Sequence, residues 1–304
     1  MQIDNPLFSI LIANYNNGRY LQEAIDSVLA QTYTNWEVIL VDDKSTDKSY
    51  EIYEKYKDDP RFHIYYNEVN KGCGYTKRRC AQLANGELCG FLDPDDKLDI
   101  GVLELVVAEH NKRTDCAIVY TSTYKWNDLD NTVEKHDRVG PIPENEDYLI
   151  SMNTSIFHFS SYKKSIYDLT DGIDETLRTG VDLDLYLKLE EFGTSFYIDK
   201  PMYYYRQTNP NSISLGNIFE ESRMWVNQHK ANLNAFVRRI KTKSYLFERN
   251  KERYLVQMRW TLIQYKKYAG RITKDLLIYF YWYWIGNGRS FSSVKHIAKI
   301  VLHN

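Results

Sequence analysis

A chain of 304 residues, 43% hydrophobic and 26% charged, has material for one large or two modest folded domains and sets aside a disordered polypeptide. Its four cysteines form no CxxC pair and no histidines stand at ligand spacing near them, which argues against a zinc site or disulfide framework and for a reducing cytoplasm. A net charge of −2 conceals an asymmetry: residues 220–304 carry 17 Lys+Arg against 5 Asp+Glu, so an acidic body is followed by a basic tail.

The elements alternate from the start. Residues 8–13 read as a strand buried on both faces, and 19–31 as a helix with Leu21, Ala24, Ile25, Val28 and Leu29 on one face. A strand at 36–41, a helix at 46–58, a strand at 62–66, a helix at about 74–85 and a strand at 87–92 follow. Such alternation predicts an α/β fold with a mostly parallel sheet between helices, and ligands bind beyond the carboxyl ends of such strands. Polar clusters stand at those ends: Asn14-Tyr15-Asn16-Asn17, Asp42-Asp43-Lys44-Ser45 and Asp93-Pro94-Asp95-Asp96.

A helix at 98–112 and a strand at 116–124 come next, then an acidic stretch to about 150 and a strand at 153–160. Residues 182–192 read as a helix ended by Gly193, and 195–206 as extended chain. Beyond about 217 the sequence is helical and rich in Lys, Arg, Trp and Tyr, which places a boundary near 216. No run reaches the roughly 20 apolar residues of a membrane span. The N-terminus lacks a basic segment followed by a long apolar run, so no signal peptide is expected.

Three carboxylates in four residues at 93–96 repel one another unless something positive sits among them. Mg²⁺ or Mn²⁺ shared with substrate phosphates fits that need; a solvated turn capping the next helix is the plainer alternative. Likewise Asp42-Asp43-Lys44-Ser45-Thr46-Asp47 offers both a carboxylate for a base N–H or ribose hydroxyl and an N-cap for the following helix.

Taken together, SILIANYNN, AIDSVLAQTYTNWEVILVDDKSTD and NKGCGYTKRRCAQLANGELCGFLDPDD resemble the successive signatures of the family-2 glycosyltransferases across residues 7–100, with weaker similarity to about 214. The resemblance implies a GT-A fold, a nucleotide-sugar donor (commonly a UDP-sugar), a divalent metal and inversion at the anomeric carbon. By position it gives Ala13 and Tyr15 to the base pocket, Asp43 to the base edge and Lys77 to the surroundings of the nucleotide. Asp93 falls where the family touches ribose or metal, Asp95 on the principal metal ligand, and Asp96 beside the donor sugar. Asp182 keeps the place of the general base, with Asp184 as the fallback, while Val181 replaces the usual acid before it. Arg206 lies in a segment that closes over the diphosphate, with Thr208 or Asn209 where the family commonly has histidine. His158 reads as a core histidine that could also approach the acceptor.

This reading makes residues 1–216 the catalytic domain, with a nucleotide-sugar half at 1–112 and an acceptor half at 113–216, followed by a helical region at 217–304. The expected acceptor is a hydroxyl of a glycan or lipid-linked glycan; nucleic acid is not an expected partner. Residues 274–300 are expected either to lie against a membrane, which would put a cytoplasmic protein on the inner face of the plasma membrane, or to pack on the catalytic domain or a partner subunit. A homo-oligomer is compatible with the sequence. The rivals are a nucleotidyltransferase, although ANYNNGRY lacks the glycine-rich basic loop, and a non-catalytic glycan- or nucleotide-binding protein.

Overall fold

The computed structural model describes residues 5–151, 156–210, 212, 218–270 and 273–302. The expected boundary near 216 therefore lies outside the described residues, as do 153–155 of the strand expected at 153–160. The described remainder, 156–159, is not strand, and pairing with the neighbouring strands begins only at Ser160. The first half alternates as predicted: β1 (Phe8–Asn14), α1 (Leu21–Leu29), β2 (Trp36–Asp42), α2 (Ser49–Tyr56), β3 (Phe62–Tyr66), α3 (Cys73–Leu83) and β4 (Leu88–Phe91). β3, β2, β1 and β4 pair in parallel in that order. Every residue of β2 is buried, as expected of a strand covered on both faces.

The second half is mixed. It contains β5 (Lys97–Leu98), α4 (Val102–Lys112), β6 (Cys116–Asn127), β7 (Thr132–Lys135), β8 (Ser160–Lys163), the short α5 (Lys164–Tyr167), α6 (Val181–Leu189) and β9 (Thr194–Arg206). The sheet runs β3-β2-β1-β4-β8-β6-β9-β5, with β7 on β6. β8 enters antiparallel to both neighbours, whereas β6 and β9 are parallel. Two boundaries differ from expectation for identifiable reasons. The helix expected from 98 begins at Val102 because Lys97 and Leu98 pair with Tyr204 and Tyr203 of β9. Gly193 does not cap α6, which ends four residues earlier. A β-carbon there would lie 2.8 Å from Ala117 Cβ, so glycine lets β9 start close against β6.

One core, with Leu21, Ile25, Val102 and Val106, fills one face of the sheet; a second, with Cys80, Ala81, Leu185 and Leu189, fills the other. A third joins Leu149, Ile150 and Leu187 to the C-terminal helices α7 (Ile218–Thr242), α8 (Tyr245–Arg249), α9 (Lys251–Ala269), α10 (Lys274–Gly286) and α11 (Phe291–Leu302). The helical region is thus packed on α6, the helix whose first turn holds Asp182. No helix among the described residues is long and apolar enough to cross a membrane.

Candidate active site

The strand ends bring the three polar clusters to one edge. At the end of β2, Asp42 and Asp43 divide the work. Asp42 accepts from Ser45 N (2.9 Å) and Tyr53 Oη (2.7 Å), tying the loop to α2. Asp43, 3% exposed, accepts from Asn67 Nδ2 (2.8 Å) and Lys71 N (2.7 Å) on Oδ1 and from Gly72 N (2.7 Å) on Oδ2. It therefore holds the loop that enters α3, where Gly72 sits at φ +92°. Ala13 is partly buried beside it in β1, and Tyr15 is exposed beyond the strand end.

The centre is a charge quartet. Lys77, projecting from α3 and 4% exposed, lies 3.0 Å from Asp93 Oδ1 and 2.8 Å from Asp182 Oδ1. His158 Nε2 faces the second oxygens of the same two acids, at 3.3 and 3.5 Å. Burial alone would raise both carboxyls, but the Lys77 ammonium and His158 imidazolium outweigh it. Asp182 is held down at about 2, and Asp93 well below the usual carboxylate range. Conversely, burial would depress His158, yet Asp93 and Asp182 push it up to about 10. The reading of His158 as a core histidine is corrected here: it is buried, but its partners are the site carboxylates. Its signal was a histidine in an apolar FHF run, which sequence alone cannot tell from a packed core residue.

The 93–96 turn is clamped from β9. Tyr203 Oη donates to Asp96 Oδ2 (2.7 Å), Arg206 N donates to Asp96 Oδ1 (2.8 Å), and Arg206 Nε donates to the Asp95 carbonyl (2.6 Å). Two expectations change with this. Asp96, 1% exposed, has both oxygens committed within the protein, so it shapes the turn instead of facing a donor sugar. Arg206, also 1% exposed, pairs with Glu23 and Asp128 and lies over the Tyr20 and Trp126 rings, so its guanidinium braces the turn from behind. In the loop after it, Asn209 Nδ2 donates to Asp95 Oδ2 (2.7 Å), a partner the sequence did not assign. Asn211, Ile213 and Ser214 of that segment lie outside the described residues. The fallback Asp184 is buried against Lys188 (2.8 Å) and accepts from Asp174 N.

Burial and the Asp93 charge raise the Asp95 carboxyl above its ordinary value, more than the Asn209 amide and the Arg206 charge lower it. A divalent cation would supply the balancing charge. Among the described residues no three or more His, Cys, Asp or Glu side chains are grouped to hold a metal. Asp95, whose Oδ2 accepts from the Asn209 amide, fits a Mg²⁺ or Mn²⁺ carried chiefly by substrate oxygens and water, whereas both Asp93 oxygens face Lys77 and His158; the described residues do not fit an all-protein cage.

The signature of glycosyl transferase family 2 matches residues 9–170, over half of the chain, and the chain belongs to that family. It is 35% identical over 199 residues to a chondroitin synthase of Escherichia coli, covering 65% of this chain and 28% of that one. It is 31% identical over 232 residues to TuaG of Bacillus subtilis (strain 168), a protein named for teichuronic acid biosynthesis, covering 72% and 86% respectively. The match thus spans under a third of the length of the chondroitin synthase. Among solved structures it is similar to S. aureus TarS 1-349 in complex with UDP-GlcNAc, with a TM-score of 0.60 and 16% identity over 96% of this chain and 90% of that one. The complex of the same protein with UDP gives a TM-score of 0.57 at 16% identity, covering 96% and 89%. The architecture is the GT-A fold.

Proposed function

We propose that this protein is an inverting glycosyltransferase that moves a sugar from a UDP-sugar to a hydroxyl of a glycan or lipid-linked glycan, assisted by a divalent cation. The observation that carries the reading is the sharing of Lys77 and His158 by Asp93 and Asp182, which sets the acid at the donor strand end beside the acid of α6 in one cluster. Tyr15 and Asp43, the latter through the loop it organises, hold the nucleobase beside Ala13, and Asp93 and Asp95 face the diphosphate. The acceptor hydroxyl attacks the anomeric carbon from the face opposite the diphosphate and gives its proton to Asp182 as the carbon–oxygen bond to phosphate breaks. Asp95 would hold a Mn²⁺ or Mg²⁺ there, which would supply positive charge against the departing diphosphate.

Asp182 is ionised at neutral pH, but its two cationic neighbours limit its basicity. A donor anion that draws Lys77 toward itself relaxes that limit and raises the proton affinity of Asp182 when the hydroxyl is in place. The UDP and UDP-GlcNAc complexes of TarS support a nucleotide-sugar donor.

The exposed Leu277, Ile278, Tyr281, Phe291 and Val294, set among exposed Lys274, Arg289, Lys295 and Lys299, favour contact of α10 and α11 with an anionic membrane surface. The test of the catalytic reading is a transfer and hydrolysis screen over UDP- and GDP-sugars with and without Mn²⁺. Turnover independent of metal overturns the role of Asp95. No turnover with any donor, despite UDP binding, favours the non-catalytic binding protein.

A further inference from the structure

The loop that leads into α6 docks on the donor half at three successive points. Arg78 Nη1 donates to the Ile173 carbonyl (2.7 Å), and Gly74 N donates to the Leu177 carbonyl (2.9 Å). A β-carbon on Gly74 would lie 2.5 Å from the carbonyl oxygens of both Asp174 and Leu177, so the contact admits no side chain. The third point is Arg178. A β-carbon on Gly72 would lie 1.8 Å from its Nη1 and 2.3 Å from its Cζ, so the guanidinium fills the space that a side chain of Gly72 would take.

The same Gly72 donates its N–H to Asp43, which puts the guanidinium beside the turn that Asp43 organises. Elsewhere in the site the cations are spoken for: Lys77 and His158 by Asp93 and Asp182, Arg206 by Glu23 and Asp128. Arg178 is exposed, and its Nη1 makes a long hydrogen bond, 3.4 Å, to the Asn70 side-chain oxygen. No carboxylate among the described residues lies within ion-pair distance of it. A planar five-donor fork with spare capacity, held against Gly72 beside the turn that Asp43 organises, suits the carbonyl oxygens and ring face of a pyrimidine.

We propose that Arg178 is a specificity-determining residue that donates to a carbonyl oxygen of the donor's pyrimidine. The nucleoside pocket is then built by both halves, and the chain that reads the base runs four residues later into Asp182. This rests on the reading of Asp43 as the nucleobase anchor.

The test is calorimetric binding of uridine, UDP and inorganic pyrophosphate, with Mn²⁺ present, to wild type, Arg178→Ala and Asp43→Asn, with melting midpoints recorded alongside. Arg178→Ala is expected to weaken uridine and UDP alike, by on the order of ten- to a hundredfold, while leaving pyrophosphate binding and the midpoint unchanged. Loss confined to UDP and pyrophosphate overturns the proposal, because the guanidinium then serves phosphate. So does unchanged binding by Arg178→Ala when Asp43→Asn has weakened uridine. A wild type that binds neither uridine nor UDP overturns the donor reading itself, and this inference with it.

Discussion

Two buried charge clusters lie at opposite ends of α6, and they use the same ingredients to different ends. At its first turn Asp182 and Asp93 share Lys77 and His158, and both acids keep about 30% of their side-chain surface open. At its last turn Arg239 of α7, wholly buried, donates to Asp147 (3.0 Å), Glu190 (2.9 Å), the Leu187 carbonyl and Tyr254 Oη, while Tyr254 donates to Asp147 in turn. The second cluster is closed: its acids face the arginine and the tyrosine, with almost no exposed surface. A closed ionic cluster fixes how the helical region seats on α6, whereas an open one leaves lone pairs for an incoming molecule.

Substitutions should separate the two. Asp182→Asn is expected to reduce kcat by about 10²- to 10⁴-fold with the melting midpoint nearly unchanged, as read by transfer assay and calorimetry on the same preparation. Unchanged transfer would remove Asp182 from the mechanism. Arg239→Met should do the reverse, costing about 3–5 kcal/mol of stability in denaturant unfolding because two buried carboxylates lose their counter-ion, while the folded fraction retains its kcat.

A third experiment uses pH. His229 of α7 stacks with Trp225 and Tyr268, and burial pushes its imidazole down to about 4. The unfolded chain takes up this proton near 6.5 and the folded chain only near 4. The stability contributed is therefore full above 6.5 and falls as the pH drops toward 4, by on the order of 2–3 kcal/mol. His229→Phe keeps a ring in the stack and should flatten that part of the unfolding profile. An unaltered slope would show that the acid sensitivity arises elsewhere. The smallest effect on folding is expected from Leu277→Glu with Ile278→Glu on the exposed face of α10, within about 0.5 kcal/mol. The same double variant should lose co-sedimentation with anionic vesicles, and retained binding would refute the membrane contact.

Much of the donor half was legible because its signals are local. Strand periodicity, the polar residues just beyond strand ends and the helix faces of α1 and α3 all depend on near neighbours, so β1 through β4 fall within a residue or two of expectation. The second half was harder for a physical reason. β5 and β8 owe their existence to partners far along the chain, Tyr203 and Tyr204 for one, and β4 and β6 for the other. The site divides in the same way. Asp43, Asp93 and Asp95 could be placed by their positions after strands, but the burial of Arg206 and Asp96 depends on Glu23, Asp128 and Tyr203 folding over them. Neither that, nor the approach of His158 to Asp182, leaves a mark in local sequence.

The seat of Arg206 has a genetic consequence. One guanidinium ties Glu23 of α1, Asp128 between β6 and β7, and the backbone of Asp95 into a single unit. Changes at these positions will be epistatic: once one carboxylate is gone, losing the second adds less than its separate effect predicts, and losing the arginine masks both. A drifting lineage would therefore have to change Glu23, Asp128 and Arg206 in concert, while the carbonyl of residue 95 is supplied by the backbone whatever its side chain.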